Sequence, residues 1–321
     1  MDAGPVRQVR APDEAELRTA AEVVARHLAP TPVVACPALG PAVLLKLETL
    51  QPTGSFKVRG ALAAVAAAVA RDPGLELVAA SAGNHGLGVA YAADRLGARA
   101  TVVVAENASP VKVRALEQFG ITLVRHGDGY DEAEAHALAL ARRSGGHFVS
   151  PYNDADVIAG QATLAAELSE QVPHATTALV PVGGGGLLSG VSLVAPPELR
   201  IVGVEPESSA AMTAALAAGQ AVSIDSGHTI ADGLAGSIEE GSVTVEIVRR
   251  RGVEMVTVSE DELRASVRFF ADEVGLVTEG AGAAAAAAWR SGRVRVDDGP
   301  VVVVVTGRNI DLDLFASILT K

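Results

Sequence analysis

The chain has 321 residues, 49% apolar but only 3% aromatic, and its 38 acidic against 26 basic side chains leave a formal net charge of −12. That length suits one large or two moderate domains with a core of Ala, Val, Leu and Ile. The acidity, with no clustered Lys/Arg stripe, argues against nucleic acid and an anionic membrane surface as partners.

Cys36 is the only cysteine, which excludes an intrachain disulfide or a cysteine-based zinc cluster and fits a reducing cytoplasm. The opening MDAGPVRQVRAPDEAEL lacks the apolar core of a signal peptide, and runs such as Ala61 to Ala70 are too short for a bilayer span. A cytoplasmic protein is expected.

Asp13 to Leu28 has helical spacing with acids at its start, and Pro30, Pro32 and Pro37 mark a loop. Val43 to Leu47 reads as a strand. Thr53, Gly54 and Ser55 then supply a turn and hydroxyl caps for a helix from Lys57 to about Ala70. Strand Leu75 to Ala80 ends in SAGNHGLG, Ser81 to Gly88, which leads into a helix through Leu96. Strand Ala100 to Ala105, helix Ser109 to Phe119, strand Ile121 to Val124 and helix Tyr130 to Arg143 continue the alternation, which implies parallel sheets.

After PYND, Pro151 to Asp154, a helix reaches Gln171, and strand Thr177 to Val182 enters a turn of four glycines that opens another helix. Arg200 to Val204 is a strand, Ala218 to Glu240 a Gly- and Ser-rich working loop, and Leu263 to Glu273 and Ala281 to Trp289 are helices. Val301 to Val305 is a buried strand by its five valines.

Lys57 is one of four lysines beside 22 arginines, and an amine can lose its proton and become a nucleophile where guanidinium cannot. The positive field of a helix start disfavours its protonated form. Phe56 offers a flat apolar face. Gly183 to Gly186, between the apolar run ALVPV and the helix LLSGV, presents bare backbone N–H groups at a helix N-terminus, an anion site suited to phosphate. It is no P-loop, because no Lys-Ser/Thr follows the last glycine. With Ser81 to Gly88, the Glu279 to Gly282 turn and Thr306 to Asn309, it sketches one pocket at the carboxyl ends of strands.

TGSFKVRGA, SAGNHGLG, GGGGL, GVEP and the closing Gly-Arg-Asn turn resemble, in this order, fold-type II pyridoxal-phosphate enzymes, and within them threonine/serine dehydratases and serine racemases. The resemblance implies an α/β fold of two open-sheet domains of tryptophan-synthase-β-like type: a larger cofactor domain, 1–72 and 151–321, and a smaller mobile one, 73–150, with the pocket between them. It implies that Lys57 carries pyridoxal 5′-phosphate covalently, that Phe56 packs on its ring, that Asn84 bonds its hydroxyl, and that Gly183, Gly184, Gly185 and Gly186 hold its phosphate. Ser81, Asn84 and His85 would receive the substrate carboxylate, Glu279 would border the ring, and Thr306 would stand beside the ring nitrogen. A homodimer acting on a small amino acid is implied too.

The reaction implied is dehydration and deamination of an L-β-hydroxy amino acid such as threonine or serine. Racemases of this group resemble SSGNH, with a serine as opposite-face proton donor where this chain has Ala82, which demotes racemisation. Lys57-Val58-Arg59 and Asn84-His85 depart from cysteine-synthase relatives. Glu205 matches one cation ligand of some relatives, but Ala211 replaces the other, so no metal is expected there. The chain also stops where the biosynthetic dehydratases begin a regulatory domain, so feedback through such a domain is not expected. Two readings compete. Gly280 to Ala285 matches G-x-G-x-x-A with Asp297 and Asp298 near the distance of a ribose-binding acid, which suggests a nicotinamide-dinucleotide oxidoreductase. A non-catalytic binding protein would leave Lys57 without a special purpose.

Overall fold

The structure, a computed structural model, describes residues 7–296 and 299–320. By contacts the chain falls into two compact units, one of Pro12–Ala29 with Gln51–Gln161, the other of Pro30–Leu50 with the residues from Ala162 onward and the first described residues to Ala11.

In the first unit α1 (Glu14–His27) begins with a capping box: Asp13 accepts from Ala15 and Glu16 N–H while Glu16 reaches back to the Asp13 N–H. Next come α2 (Lys57–Arg71), β3 (Glu76–Ala80), α3 (Asn84–Leu96), β4 (Arg99–Val104), α4 (Pro110–Leu116), β5 (Thr122–Arg125), α5 (Tyr130–Ser144) and β6 (His147–Phe148). The strands form a parallel sheet in the order β5-β4-β3-β6. Its core joins Leu77 and Ala79 of β3 to Val58, Leu62 and Val65 of α2 and Val89 and Ala93 of α3.

The second unit holds β1 (Val33–Ala35), β2 (Val43–Leu47), β7 (Thr177–Pro181), α7 (Gly186–Val194), β8 (Arg200–Pro206), α8 (Ala211–Ala218), α9 (Val243–Arg251), β9 (Glu254–Val258), α10 (Glu260–Phe269), α11 (Gly280–Arg290), β10 (Val301–Val305) and α12 (Leu312–Leu319). Its sheet runs β1-β2-β10-β7-β8-β9, parallel throughout except that β1 pairs antiparallel with β2. The valines of β10 are buried between β2 and β7. Residues Gly280 to Ala288 of α11 are buried too, as a helix apolar all round must be.

The remaining helix, α6 (Ala155–Gln171), starts at Asp154, whose carboxylate accepts from Asp156 and Val157 N–H, and the boundary between the units falls within it. The sequence boundaries at 72/73 and 150/151 thus differ from the contact boundaries at 50/51 and 161/162. The difference is α1, α2 and the start of α6, which go with the four-stranded sheet; α2 packs on both α1 and α3.

The chain between the prolines is β1 rather than wholly loop, the segment from Val243 to Val258 holds α9 and β9, and Asp232–Leu234 makes one short 3-10 turn inside the loop 218–240. The helix read over Leu263 to Glu273 starts earlier, at Glu260, behind a Ser259–Glu262 capping box, and passes into a π turn at Phe270–Val274.

Within the first unit α2 crosses the start of α6 at bare backbone. A Cβ on Gly160 would lie 2.5 Å from Arg59 O, 2.6 Å from Gly60 Cα and 2.8 Å from Ala63 Cβ. Helix propensity alone makes Gly→Ala stabilising by about 1 kcal/mol, whereas overpacking costs about 1–3 kcal/mol. Gly160→Ala is therefore expected to destabilise the protein by roughly 1–2 kcal/mol in urea unfolding. A gain in stability would contradict the crossing.

Candidate active site

Lys57 is the first residue of α2. Gly54 turns the chain with φ +76°, and its N–H bonds Gln51 O at 2.8 Å. The expected hydroxyl cap does not form, because the cap position falls on Phe56, already helical at φ −58°, ψ −21°, and no side chain caps the helix. The Ser55 hydroxyl is instead buried with no hydrogen-bond partner.

Lys57 is held from three sides. Its Nζ donates to Pro151 O at 2.9 Å and lies 5.2 Å from the centroid of the Phe56 ring, a cation–π contact. Its carbonyl lies under α3. A Cβ on Gly88 would stand 3.2 Å from Lys57 C and O and 3.3 Å from Ala61 Cβ, so the two helices meet there without intervening side chains.

The turn before α3 is equally tight. A Cβ on Gly86 would lie 2.0 Å from Ser81 O, and the Ser81 hydroxyl accepts from Gly83 N–H at 3.0 Å. Asn84, His85 and Gly86 form the first turn of α3, whose N–H groups have no intrahelical acceptor. That is an anion-binding arrangement. The His85 ring is buried and bonds Val149 O through Nε2 at 2.8 Å. A carbonyl only accepts, so Nε2 carries the hydrogen.

Burial, and then the Lys57 charge, lower the His85 pKa to about 4, against smaller raising effects of the Val149 carbonyl and Asp154. The ring is therefore neutral at pH 7. What His85 and Asn84 offer an anion is backbone N–H rather than imidazolium charge.

In the second unit Gly185 caps α7 with φ +86°. A Cβ on Gly183 would lie 3.0 Å from Leu234 Cα, one on Gly280 would lie 2.3 Å from Ile230 O, and one on Gly282 would lie 2.3 Å from Gly307 O. Glu279 N–H bonds Gly307 O at 3.1 Å. Gly183 and Gly280 thus both press on the backbone of 230–234, and the Thr306–Gly307 turn joins them through Gly282. From the sequence, residues 230–234 fall in the working loop 218–240; the small residues Ala231 and Gly233 are the signal there for a close backbone approach. The buried Thr306 hydroxyl donates to Ala281 O at 3.3 Å, and Glu279 is buried as the cap residue of α11.

Two further expectations have structural outcomes. The Gly280 to Ala285 fingerprint does not follow a strand, as a dinucleotide turn does; a π turn and a loop precede it, and its glycines serve the contacts with Ile230 and Gly307. Asp297 and Asp298 lie outside the described residues. Glu205 is fully buried, and its carboxylate accepts from Met212 N–H at 2.6 Å and from the N–H and hydroxyl of Thr213 at 3.0 and 2.6 Å. It caps α8, and burial pushes its pKa up.

Residues 24–307 match the family described as pyridoxal-phosphate dependent enzyme. The chain belongs to this family. It is 38% identical over 307 residues to an L-threonine ammonia-lyase of Thermotoga maritima, covering 95% of this chain and 76% of that one. It is 36% identical over 281 residues to the catabolic L-threonine dehydratase TdcB of Escherichia coli K12, covering 86% and 85%. Among solved structures it resembles a T.th. threonine deaminase (TM-score 0.85, 34% identity, 94% and 99% covered) and maize serine racemase (TM-score 0.86, 28% identity, 97% and 98% covered). The two parallel-sheet α/β architecture is that of these pyridoxal-phosphate enzymes.

The cofactor of the family is pyridoxal 5′-phosphate, and the donor set fits it. A phosphate needs unencumbered N–H groups, and the turn at Gly183–Gly186 has them at a helix N-terminus where a Cβ on Gly183 or Gly185 would collide with its surroundings. An aldehyde needs an amine, which Lys57 carries. Lys46 does not qualify. It is fully buried, and its Nζ is spent on Thr31 O at 2.9 Å, Glu167 Oε2 at 2.5 Å and Gln171 Oε1 at 2.8 Å.

The neutrality of His85 has a pH consequence. The unfolded chain takes up a proton below about pH 6.5 and the folded ring only below about 4, so stability is lost as pH falls through that window. Between pH 7 and 4.5 the wild type is expected to lose roughly 2–3 kcal/mol more than His85→Gln in urea unfolding. Equal losses would show that the ring is not held neutral.

Proposed function

We propose that the protein is a pyridoxal-phosphate-dependent ammonia-lyase that dehydrates and deaminates an L-β-hydroxy amino acid, threonine or serine, to a 2-oxo acid and ammonia. The observation that carries this reading is the packing of α2 on α3 at Gly88, which brings the Lys57 backbone against the helix whose first turn holds Asn84 and His85, with the Lys57 charge acting on the His85 ring. The names of the relatives, L-threonine ammonia-lyase and L-threonine dehydratase, support the same reaction.

Bound pyridoxal 5′-phosphate supplies an electron sink that makes the Cα hydrogen of an attached amino acid acidic. In this reading Lys57 binds the cofactor, Phe56 lies on its ring, Asn84 bonds its hydroxyl, Gly183 to Gly186 hold its phosphate, and Glu279 borders it. The Ser81 hydroxyl and the N–H groups of Asn84 and His85 receive the substrate carboxylate and fix its orientation. Once the substrate amine has displaced it from the cofactor, the freed Lys57 Nζ would take the Cα proton. That proton balances the one the departing β-hydroxyl takes up to leave as water, and a second water then replaces the amino group, which departs as ammonia.

Thr306 supports elimination over longer-lived carbanion chemistry. A hydroxyl donates weakly to a ring nitrogen and does not keep it protonated as a carboxylate does. Its present bond to Ala281 O is long, at 3.3 Å, so redirecting it costs little. The racemase alternative draws on the likeness to serine racemases of maize and Dictyostelium discoideum. Against it stands Ala82, whose methyl packs on the apolar cluster of Val102, Val113 and Leu116 and has no proton to give. The reading also carries a cytoplasmic homodimer, whose mass light scattering would report.

The test is 2-oxo acid release by the holoenzyme from L-threonine and L-serine, beside Lys57→Ala. Release is expected from at least one of them, with kcat lowered at least roughly a thousandfold in the variant. Wild-type turnover by Lys57→Ala would refute the role of Lys57. Inversion at Cα without 2-oxo acid would make the protein a racemase.

A further inference from the structure

The glycine turn at 183–186 is shaped by groups outside it. Thr244, the second residue of α9, is fully buried. Its Oγ1 lies 2.8 Å from Gly184 O and 2.8 Å from Ser242 Oγ. A carbonyl has no hydrogen to give, so the single hydroxyl hydrogen of Thr244 goes to Gly184, and Ser242 must donate its own to Thr244 Oγ1. Ser242, the cap of α9, accepts from Thr244 N–H in return. The hydroxyls form a one-way relay that ends on the Gly184–Gly185 peptide, and each bond polarises the next.

A trans peptide points its C=O and N–H in opposite directions. Drawing Gly184 O toward α9 therefore turns Gly185 N–H away from α9. From the α8 side, a Cβ on Gly185 would lie 2.4 Å from Met212 Cε, and Met212 is itself seated by its N–H bond to Glu205. Glycine peptides flip easily because positive and negative φ are equally open to them. The Thr244 hydroxyl selects one of those orientations before any anion arrives.

We propose that Thr244 is a positioning residue for the cofactor phosphate, acting through the Gly184–Gly185 peptide with Ser242 as its support. The proposal rests on the reading of Gly183 to Gly186 as the phosphate holder. It separates Thr244 from a merely structural threonine, because a preorganised N–H strengthens binding of a phosphate and does nothing for a ligand without one.

The test compares pyridoxal 5′-phosphate with pyridoxal, which has the ring and aldehyde but no phosphate, by absorbance titration of the full-length protein. In Thr244→Val the dissociation constant for pyridoxal 5′-phosphate is expected to rise roughly tenfold, the worth of one charge-assisted hydrogen bond. That for pyridoxal should change less than about twofold, and Thr244→Ser should restore the wild-type ratio. Unchanged phosphate-ester affinity in Thr244→Val, equal losses for both ligands, or a Thr244→Ser variant no better than Thr244→Val would each overturn the proposal. Should Thr244→Val not fold, Ser242→Ala makes the same comparison with the relay cut one bond earlier. Gly185→Ala tests the underlying reading. If it leaves the ratio of the two affinities unchanged, the turn does not hold the phosphate and the proposal falls with it; if it lowers phosphate-ester affinity selectively while Thr244→Val does not, the proposal alone fails.

Discussion

Everything in the first unit that bears on chemistry depends on the approach of Gly88 to the Lys57 carbonyl, where a single methyl group would stand 3.2 Å from the carbonyl carbon and oxygen. Gly88 lets α3 pack directly on the start of α2, from which Lys57 Nζ reaches the Pro151 carbonyl at 2.9 Å. The same proximity puts the Lys57 charge near His85 and, added to burial, keeps that imidazole neutral. With His85 neutral, the charge an anion would meet at this turn is the partial charge of the α3 N-terminal N–H groups rather than an imidazolium. The second unit repeats the device with Gly183, Gly280 and Gly282, each against backbone that a side chain would displace.

Electrostatics separates the lysines as sharply as geometry does. Lys46 is buried on β2, next to the edge strand β1, and its amine donates to a carboxylate, an amide oxygen and a carbonyl. Such a group is costly to deprive of its partners, because a buried charge without them is worth several kcal/mol of instability, on the order of 3–5 kcal/mol. Thr31 adds a second link by donating to Glu48 at 2.5 Å. Lys46 is thus committed to holding β1, β2 and α6 together, whereas Lys57 rests its amine on a main-chain carbonyl at a helix mouth.

Much of this was visible in the residues. The valine- and alanine-rich runs of β3, β4, β7 and β10 are strands because a parallel sheet covered on both faces demands continuous apolar sequence, and the glycines that follow β3, β7 and β10 marked the turns. Lys57 stood out by rarity and by its place before an Ala-rich helix. What stayed hidden has two causes. β1 and β6 span three and two residues, too short for a period, and β9 lies at a sheet edge where packing asks less of its residues. The other cause is sequence distance: Thr244 reaches Gly184 across 60 positions, and residues 230–234 meet Gly280 and Gly183 only in the folded chain. The expected cap on α2 failed for a local reason, since Phe56 rather than Ser55 occupies the cap position.

The central claim is that Lys57, and no other lysine, carries the cofactor. Borohydride reduction of the holoenzyme followed by peptide mass mapping measures this directly. The account predicts a pyridoxyl group on the peptide that contains Lys57, with Lys46, Lys112 and Lys321 unmodified. Label on Lys46, Lys112 or Lys321, or none retained after reduction, would contradict it.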